Sequence, residues 1–360
     1  QRAVPLSTLS GASDTPTVAK QILVSDRDRH VIAFGCDPVA DPGVQDPMLI
    51  RFSDQENIAN WTPESTNTAG DLRIDSGSEI IAAVETRQQV LVYTDVSLYA
   101  MQYLGAPFTF GINLISENIT LAGPEALVAS DDQVFWMGRE EFYVYNGSVQ
   151  RIPCTVRGYV FDDFNVSQRA KVVAGLNSAH SEVWWFYPSS TSPANDRYVI
   201  YNYVENLWYY GTLMRAGWID RGVYDTPIGA GLDGYLYSHE TGFDDGSTTP
   251  ATPIDSYIQS SPLDIGDGEQ FSLIRRVFPD VSFENSSNDS PYVDITLDVR
   301  NISGGTYLRS STASYYDNNR EQIDFRLRGR QLSFKLTSLL LGTTWRLGSP
   351  RIDIRPDGRR

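Results

Sequence analysis

Cysteine, histidine, methionine and positive charge are all scarce in this chain of 360 residues: two Cys, three His, four Met, and 29 Lys+Arg against 45 Asp+Glu. Cys36 and Cys154 are too few for a disulfide framework or a cysteine-built zinc site, and they are compatible with a reducing compartment. The histidines, His30, His180 and His239, lie far apart in turns and lack any metal-ligand spacing such as H-E-x-x-H, so neither a metal centre nor histidine catalysis is expected. No apolar run reaches ~18 residues and no signal-peptide pattern occurs, so a helical membrane span is not expected either. The formal net charge of −16 argues against an ordinary nucleic-acid binder, which gains affinity by neutralising phosphates. It leaves room for a protein that DNA passes without sticking.

Aromatics, glycine and proline are plentiful, with 20 Tyr, 15 Phe, 7 Trp, 28 Gly and 19 Pro. Aromatics suit pleated, half-buried surfaces, and Gly and Pro punctuate turns, so an all-β chain is expected, with few helices, all short, as around 166–173. Between residues 20 and 240 a unit recurs. Apolar runs start at Val31, Val90, Val134, Val183 and Tyr235, with spacings of 59, 44, 49 and 52 residues. Small-residue stretches precede them at 81–84, 126–129, 172–175 and 228–231. A third run follows at 49–52, 98–101, 142–145 and 198–201. An aromatic fourth element is read at Ile58–Trp61 and Asn206–Tyr210. A small inner strand, a bulky second strand and an aromatic third strand at about 40–50 residues per unit describe the blade of a β-propeller. Five blades are recognisable. The chain begins Gln1-Arg2 rather than Met, so a closing strand or blade before Gln1 remains open.

Beyond Gly242 the pattern changes. Residues 243–255 are rich in turn formers and read as a linker between a propeller at 1–242 and a second domain at 256–360. There, 292–299, 322–327, 331–336 and 351–354 alternate apolar and polar residues, which predicts a small antiparallel β-sandwich-like domain with one face of each strand buried. The charge divides as well: 15 Lys+Arg and 32 Asp+Glu lie before Ser256, and 14 and 13 from there on.

Several motifs carry a chemical and a plain structural meaning. Gly229-Ala-Gly-Leu-Asp-Gly234 matches a dinucleotide fingerprint but runs into a strand rather than a helix, and so reads as a turn. The acid pairs 131–132, 162–163 and 244–245 point to opposite faces if extended, and Asp264-Ile-Gly-Asp-Gly-Glu269 lacks the spacing of an EF-hand loop. The runs at 183–187 and 207–210 suit blade-to-blade packing, with sugar stacking as the alternative. No catalytic residue, cofactor or metal site is assigned. From Arg320 to Arg360, ten Lys+Arg face four Asp+Glu. Arg326, Arg328, Arg330, Arg346, Arg351 and Arg355 therefore form a candidate interface, because guanidinium groups pair bidentately with carboxylates across a boundary.

Taken together, Arg51-Phe-Ser-Asp54 with Asn60-Trp-Thr-Pro63, Leu91-Val-Tyr-Thr-Asp95, Val134-Phe-Trp-Met-Gly138 with Tyr143-Val-Tyr-Asn-Gly147, Arg326-Leu-Arg-Gly-Arg330 and Arg351-Ile-Asp-Ile-Arg-Pro-Asp-Gly358 resemble the tail nozzle proteins of short-tailed bacteriophages. These are also called tail tubular protein B or packaged-DNA stabilisation proteins. The resemblance implies a non-enzymatic structural protein of the virion tail. It implies a homohexameric ring below the portal and tail adaptor, a propeller and a platform domain in each subunit, and genomic DNA passing through the channel without sequence-specific contact. Tail fibres or spikes are further implied partners. Two alternatives remain: a carbohydrate-binding or glycan-processing propeller, which as a glycosidase needs two carboxylates about 5–9.5 Å apart, and a fibre-attachment scaffold.

Overall fold

A computed structural model describes residues 3–105, 107–265, 269–316 and 321–358. The chain divides into two compact units, Gln1–Glu240 and Thr241–Arg360.

The first unit is a series of antiparallel meanders. Blade 1 comprises β1 (Ala19–Ser25), β2 (His30–Cys36), β3 (Leu49–Phe52) and β4 (Gly70–Arg73). Blade 2 comprises β5 (Ile80–Glu85), β6 (Val90–Thr94), β7 (Ser97–Gly105) and β8 (Thr109–Glu117). Blade 3 comprises β9 (Leu127–Ser130), β10 (Gln133–Met137), β11 (Phe142–Tyr145) and β12 (Val149–Ile152). Blade 4 comprises β13 (Val173–Asn177), β14 (Glu182–Tyr187), β15 (Arg197–Asn202) and β16 (Leu207–Thr212). The fifth sheet has three strands, β17 (Gly217–Ile219), β18 (Ile228–Ala230) and β19 (Leu236–Ser238). The first strands of successive sheets, β1, β5, β9, β13 and β17, neighbour one another. This is the radial order of a β-propeller, with five blades among the described residues.

The small inner strands have a visible cause. A Cβ at Gly175 on β13 would lie 2.2 Å from the Trp218 ring of β17, so the indole occupies the place of a side chain. Trp218 then donates its indole N–H to Leu176 O at 2.7 Å, and Trp185 donates in the same way to Ala126 O at 3.1 Å. Between blades 1 and 2, the Gln21 side chain bonds both the N–H and the O of Ala83. Bulky residues fill the next strands outward: Tyr93, Trp136, Phe142, Trp185 and Tyr187 are fully buried between blades. A second cluster joins Phe34 and Ile50 of blade 1 to Val90, Val92 and Met101 of blade 2.

Two sequence expectations are corrected here. Ile58–Trp61 is not the outer strand of blade 1; it forms turns, with Trp61 buried beside Ala33 and Leu49, and β4 takes the outer position. In the fifth sheet, 228–231 is the second strand and 235–237 the third, because β17 precedes them and lies against β13. The expected helical stretch is a 3-10 helix over Val166–Lys171. No helix among the described residues is long and apolar enough to cross a membrane.

In the second unit, β20 (Asp244–Asp245) and β21 (Thr252–Pro253) pair within the segment expected as a linker. The Asp244 carboxylate accepts the Gly342 N–H at 2.9 Å, which ties this ribbon to the unit's body. One sheet has the order β22 (Ser256–Gln259), β29 (Gln331–Ser338), β26 (Tyr292–Arg300), β27 (Arg309–Tyr316), with β23 (Leu263–Asp264) also on β29. The other has the order β28 (Ile323–Gly329), β24 (Ser272–Phe278), β31 (Arg351–Pro356). A short pair is made by β25 (Val281–Ser282) and β30 (Arg346–Leu347). Every second residue of β26 is buried, and Val293, Ile295, Leu297 and Val299 pack with Ile274, Val277, Phe325 and Leu327 of the other sheet. This is a β-sandwich core. Although β28 and β29 are separated only by Arg330, they belong to different sheets.

Two measurements test this packing. Gly175→Ala is expected to push against the Trp218 indole and lower stability by about 1–3 kcal/mol, read as a shift in the unfolding midpoint. The second concerns His239. Burial, helped by the positive charge of Arg215, lowers its pKa to about 4, and the Arg215 Nε–H donates to its Nε2 at 3.0 Å. Between pH about 6.5 and about 4 the unfolded chain takes up a proton here that the folded one refuses, so stability falls as pH falls through that window. Urea midpoints at pH 7 and pH 4.5 are expected to differ less in His239→Gln than in the parent.

Candidate functional site

The three-stranded sheet of the sandwich turns one face to its core and the other outward. On β28, Phe325 and Leu327 are buried while Asp324, Arg326 and Arg328 face away. On β31, Ile352 and Ile354 pack on the core and Arg351, Asp353 and Arg355 face away. Between them runs β24, where strict alternation would bury Ile274, Arg276 and Phe278 in turn. A bulge between Ile274 and Arg276 prevents this. Ile274 and Val277 are the buried residues, and the extra position keeps both Arg275 and Arg276 off the core.

Cross-strand registers then build rows of arginine. Leu273 lies between Arg328 and Arg355, and Arg276 lies between Asp324 and Asp353. Arg276 Nε is 3.3 Å from an Asp353 oxygen, and its Nη1 donates to Gln322 at 3.0 Å. The Arg351 guanidinium sits 5.3 Å from the Phe278 ring centroid, opposite it in register. Arg328 pairs with Asp357 at 2.5 Å and lies over Phe271. Arg326 and Arg355 are exposed and form no ion pair among the described residues.

Thus four of the six arginines singled out in the sequence, Arg326, Arg328, Arg351 and Arg355, share one face. Arg330 sits where the chain crosses between sheets, 4.8 Å from Phe271. Arg346 is on the short ribbon with β25, apart from the other four in the sheet order. Sequence reasoning missed Arg275 and Arg276; the signal was an Arg-Arg pair inside an apolar run, where only a bulge keeps both out of the core. Such a face offers fixed, planar donors to carboxylates.

The other singled-out motifs sit as follows. Gly229–Gly234 joins β18 to β19 through a turn closed by Gly231 N–H to Tyr235 O. His30 is buried, with Nδ1 at 2.6 Å from Asp28 O and Nε2 at 3.2 Å from Thr68, and burial lowers its pKa. Asp131 pairs with Arg87 at 2.5 Å, and Asp163 with Arg197 at 3.2 Å. In the aromatic runs, Trp185, Phe186 and Tyr187 are core, Trp184 stacks on Trp218, and Tyr209 and Tyr210 are exposed. Of the segment Asp264–Glu269, 266–268 lie outside the described residues, and Asp264 accepts from Gln331 at 2.7 Å. No group of three metal-ligating side chains converges among the described residues.

One acidic pair had no sequence signal because its members are 58 positions apart. Glu182 opens β14, Glu240 follows β19, and fully buried Asn177 reaches both through Nδ2, at 3.4 and 3.3 Å. One oxygen of each carboxylate is therefore no more than roughly 7 Å from the other, below the upper limit of the spacing used in glycoside hydrolysis. Burial raises the pKa of Glu182, against the Trp184 indole N–H that donates to it at 3.0 Å. His180 Nε2 is 3.6 Å from Glu240.

No protein family matches the chain, and no curated protein does. Among solved structures it is similar to Hsv2 of Kluyvelomyces marxianus, at 10% identity and a TM-score of 0.36 over 60% of this chain and 61% of that one. It is similar to the N-terminal domain of Nup159 at 9% identity and a TM-score of 0.33, covering 89% and 90%. An exo-beta-1,3-galactanase from Phanerochaete chrysosporium, solved with galactose, shares 9% identity at a TM-score of 0.31, covering 92% and 95%. The match spans less than two thirds of Hsv2. Similarity at this level assigns no activity; what the chain shows is a β-propeller joined to a β-sandwich.

Proposed function

We propose that the chain is a structural subunit of a short-tailed phage tail nozzle, set in a homohexameric ring beneath the portal and adaptor, where it retains packaged DNA and conducts it on ejection. The observation that carries this reading is the separation of charge. Residues 1–240 hold 15 Lys+Arg and 29 Asp+Glu, whereas 241–360 hold 14 and 16, with six arginines on one sheet face. An acidic wall repels phosphates and lets a polyanion slide, and an arginine face pairs with carboxylates of a neighbouring subunit or adaptor. The motifs that resemble the nozzle family support the same assignment, and the role requires no catalytic residue.

A second reading, a glycan-processing propeller, is favoured by the Glu182–Glu240 pair. There burial favours the protonated form of Glu182, which would donate a proton, and Glu240 would act as the partner carboxylate.

Electron microscopy of the virion is expected to show the chain as a six-fold ring on the tail axis; absence from the virion would sink the nozzle reading, and placement off the axis against fibres would favour a fibre scaffold. In sedimentation, the double variant Arg326→Glu, Arg355→Glu is expected to lose ring formation while keeping the parent's unfolding midpoint. For the second reading, polysaccharide hydrolysis is expected to drop by at least about 100-fold in Glu182→Gln. Parent protein that releases no reducing sugar from a host-polysaccharide panel would rule it out.

A further inference from the structure

Blade 4 carries its aromatic packing out to the surface. The register of β14, β15 and β16 sets Trp185, Val199 and Tyr210 in one row, and Trp208, two positions before Tyr210, shares their face. This is the face that packs on blade 3: Trp185 donates to Ala126 O, Trp208 donates to Pro153 O at 2.9 Å, and the Trp208 and Phe142 ring centroids are 4.8 Å apart. Tyr210 continues the row beyond that core. Its ring centroid is 4.0 Å from that of Tyr159 on the short helix α1 (Arg157–Asp162), with 35° between the planes. Tyr210 and Tyr159 are 46% and 43% exposed, whereas Trp185 is fully buried.

Polar groups stand beside this pair. Arg197, which opens β15, is close enough to Tyr159 for the two to interact electrostatically. Its Nε donates to Asp163 Oδ2 at 3.2 Å, and both side chains are partly exposed. The other carboxylate oxygen, Asp163 Oδ1, accepts the Ser190 hydroxyl at 2.8 Å. Among the described residues, the Nη groups of Arg197 and the hydroxyls of Tyr159 and Tyr210 make no hydrogen bond.

Rings already held against one another lose little further freedom when a ligand lies on them, and a tyrosine ring attracts an apolar C–H surface. A guanidinium beside a carboxylate supplies planar donors and an acceptor, which match neighbouring hydroxyls on one ligand. A proline-rich peptide also docks on exposed aromatic rings, but it brings carbonyl acceptors and few donors, and so leaves the Asp163 carboxylate unmatched.

We infer that Tyr159 and Tyr210 form the platform of a carbohydrate-binding site, on which one neutral pyranose residue stacks while its hydroxyls bond Arg197 and Asp163. The site depends on neither functional reading above. Glu182 and Trp184 alternate with Trp185 and lie on the other face of blade 4, toward Trp218, and binding on the platform requires no hydrolysis.

The test is NMR on the intact chain with the methyl glycosides of glucose, galactose, mannose and N-acetylglucosamine, each at millimolar concentration. Saturation transfer is expected to at least one of them. That sugar is expected to shift the ring resonances of Tyr159 and Tyr210 but not those of Tyr209, which is similarly exposed and points to the opposite face. Tyr159→Ala and Tyr210→Ala are each expected to weaken it about tenfold and Arg197→Gln several-fold, while Tyr209→Ala and Glu182→Gln leave it unchanged. The ring shifts are read on the parent chain, so the inference stays testable should a variant fail to fold. Binding of none of the four, binding that survives both tyrosine variants, shifts confined to other rings, binding lost in Glu182→Gln, or a proline-rich peptide bound at these rings in place of any sugar would overturn it. Loss of hydrolysis or of ring assembly would leave these readouts untouched.

Discussion

Room near the centre of the sheet array is the constraint on which the first unit depends. Inner strands from adjacent blades approach so closely that β5 carries Ala82 and Ala83, and β13 carries Gly175 where Trp218 must lie. Most large side chains lie instead on the second and third strands, where Trp136, Phe142, Trp185 and Tyr201 interlock between blades, while Trp218 of β17 takes the space that Gly175 leaves. Each sheet then buries its aromatic face only against the next. The indole N–H bonds of Trp185 and Trp218 to inner-strand carbonyls satisfy polar groups that this crowding would otherwise strand. Stability is accordingly a property of junctions between neighbouring sheets rather than of single blades.

The same crowding decides where chemistry can sit. Along β13 the side chains are consumed by packing, and polar groups collect at its two ends. Around β13 both ends are occupied: Glu125, Lys171 and Asn195 at its start, and Asn177, Glu182 and Glu240 at its finish. A five-residue strand separates them by roughly 13 Å, so the two groups cannot act on one small molecule together.

Much of this was legible in the sequence. The period of the apolar runs located β2, β6, β10 and β14, and the alternation over 292–299 located β26, because both follow from local side-chain spacing. The fifth sheet was read one strand out of step, since β17 is only three residues long and Trp218 marks it less clearly than the small stretch at 228–231. Ile58–Trp61 looked like a strand because aromatic content alone does not distinguish an outer strand from a buried turn. The arginine face was half visible: alternation exposed Arg326, Arg328, Arg351 and Arg355, while a bulge, which has no periodic signature, supplied Arg275 and Arg276. Asn195 and the Glu182–Glu240 pair gave no signal at all, for they are assembled by the ring rather than by sequence neighbourhood.

Charge separation completes the physical picture. When one unit is strongly acidic and the other displays an arginine face, two copies gain electrostatically by bringing unlike faces together and lose by matching like ones. The bulge in β24 adds to that separation, because without it one of the two consecutive arginines would be driven into the core, away from the Asp324 and Asp353 residues that flank Arg276 in register. The position that breaks the strand's regularity therefore also enlarges the basic face, and it couples the packing of the sandwich to the sign of the surface it presents.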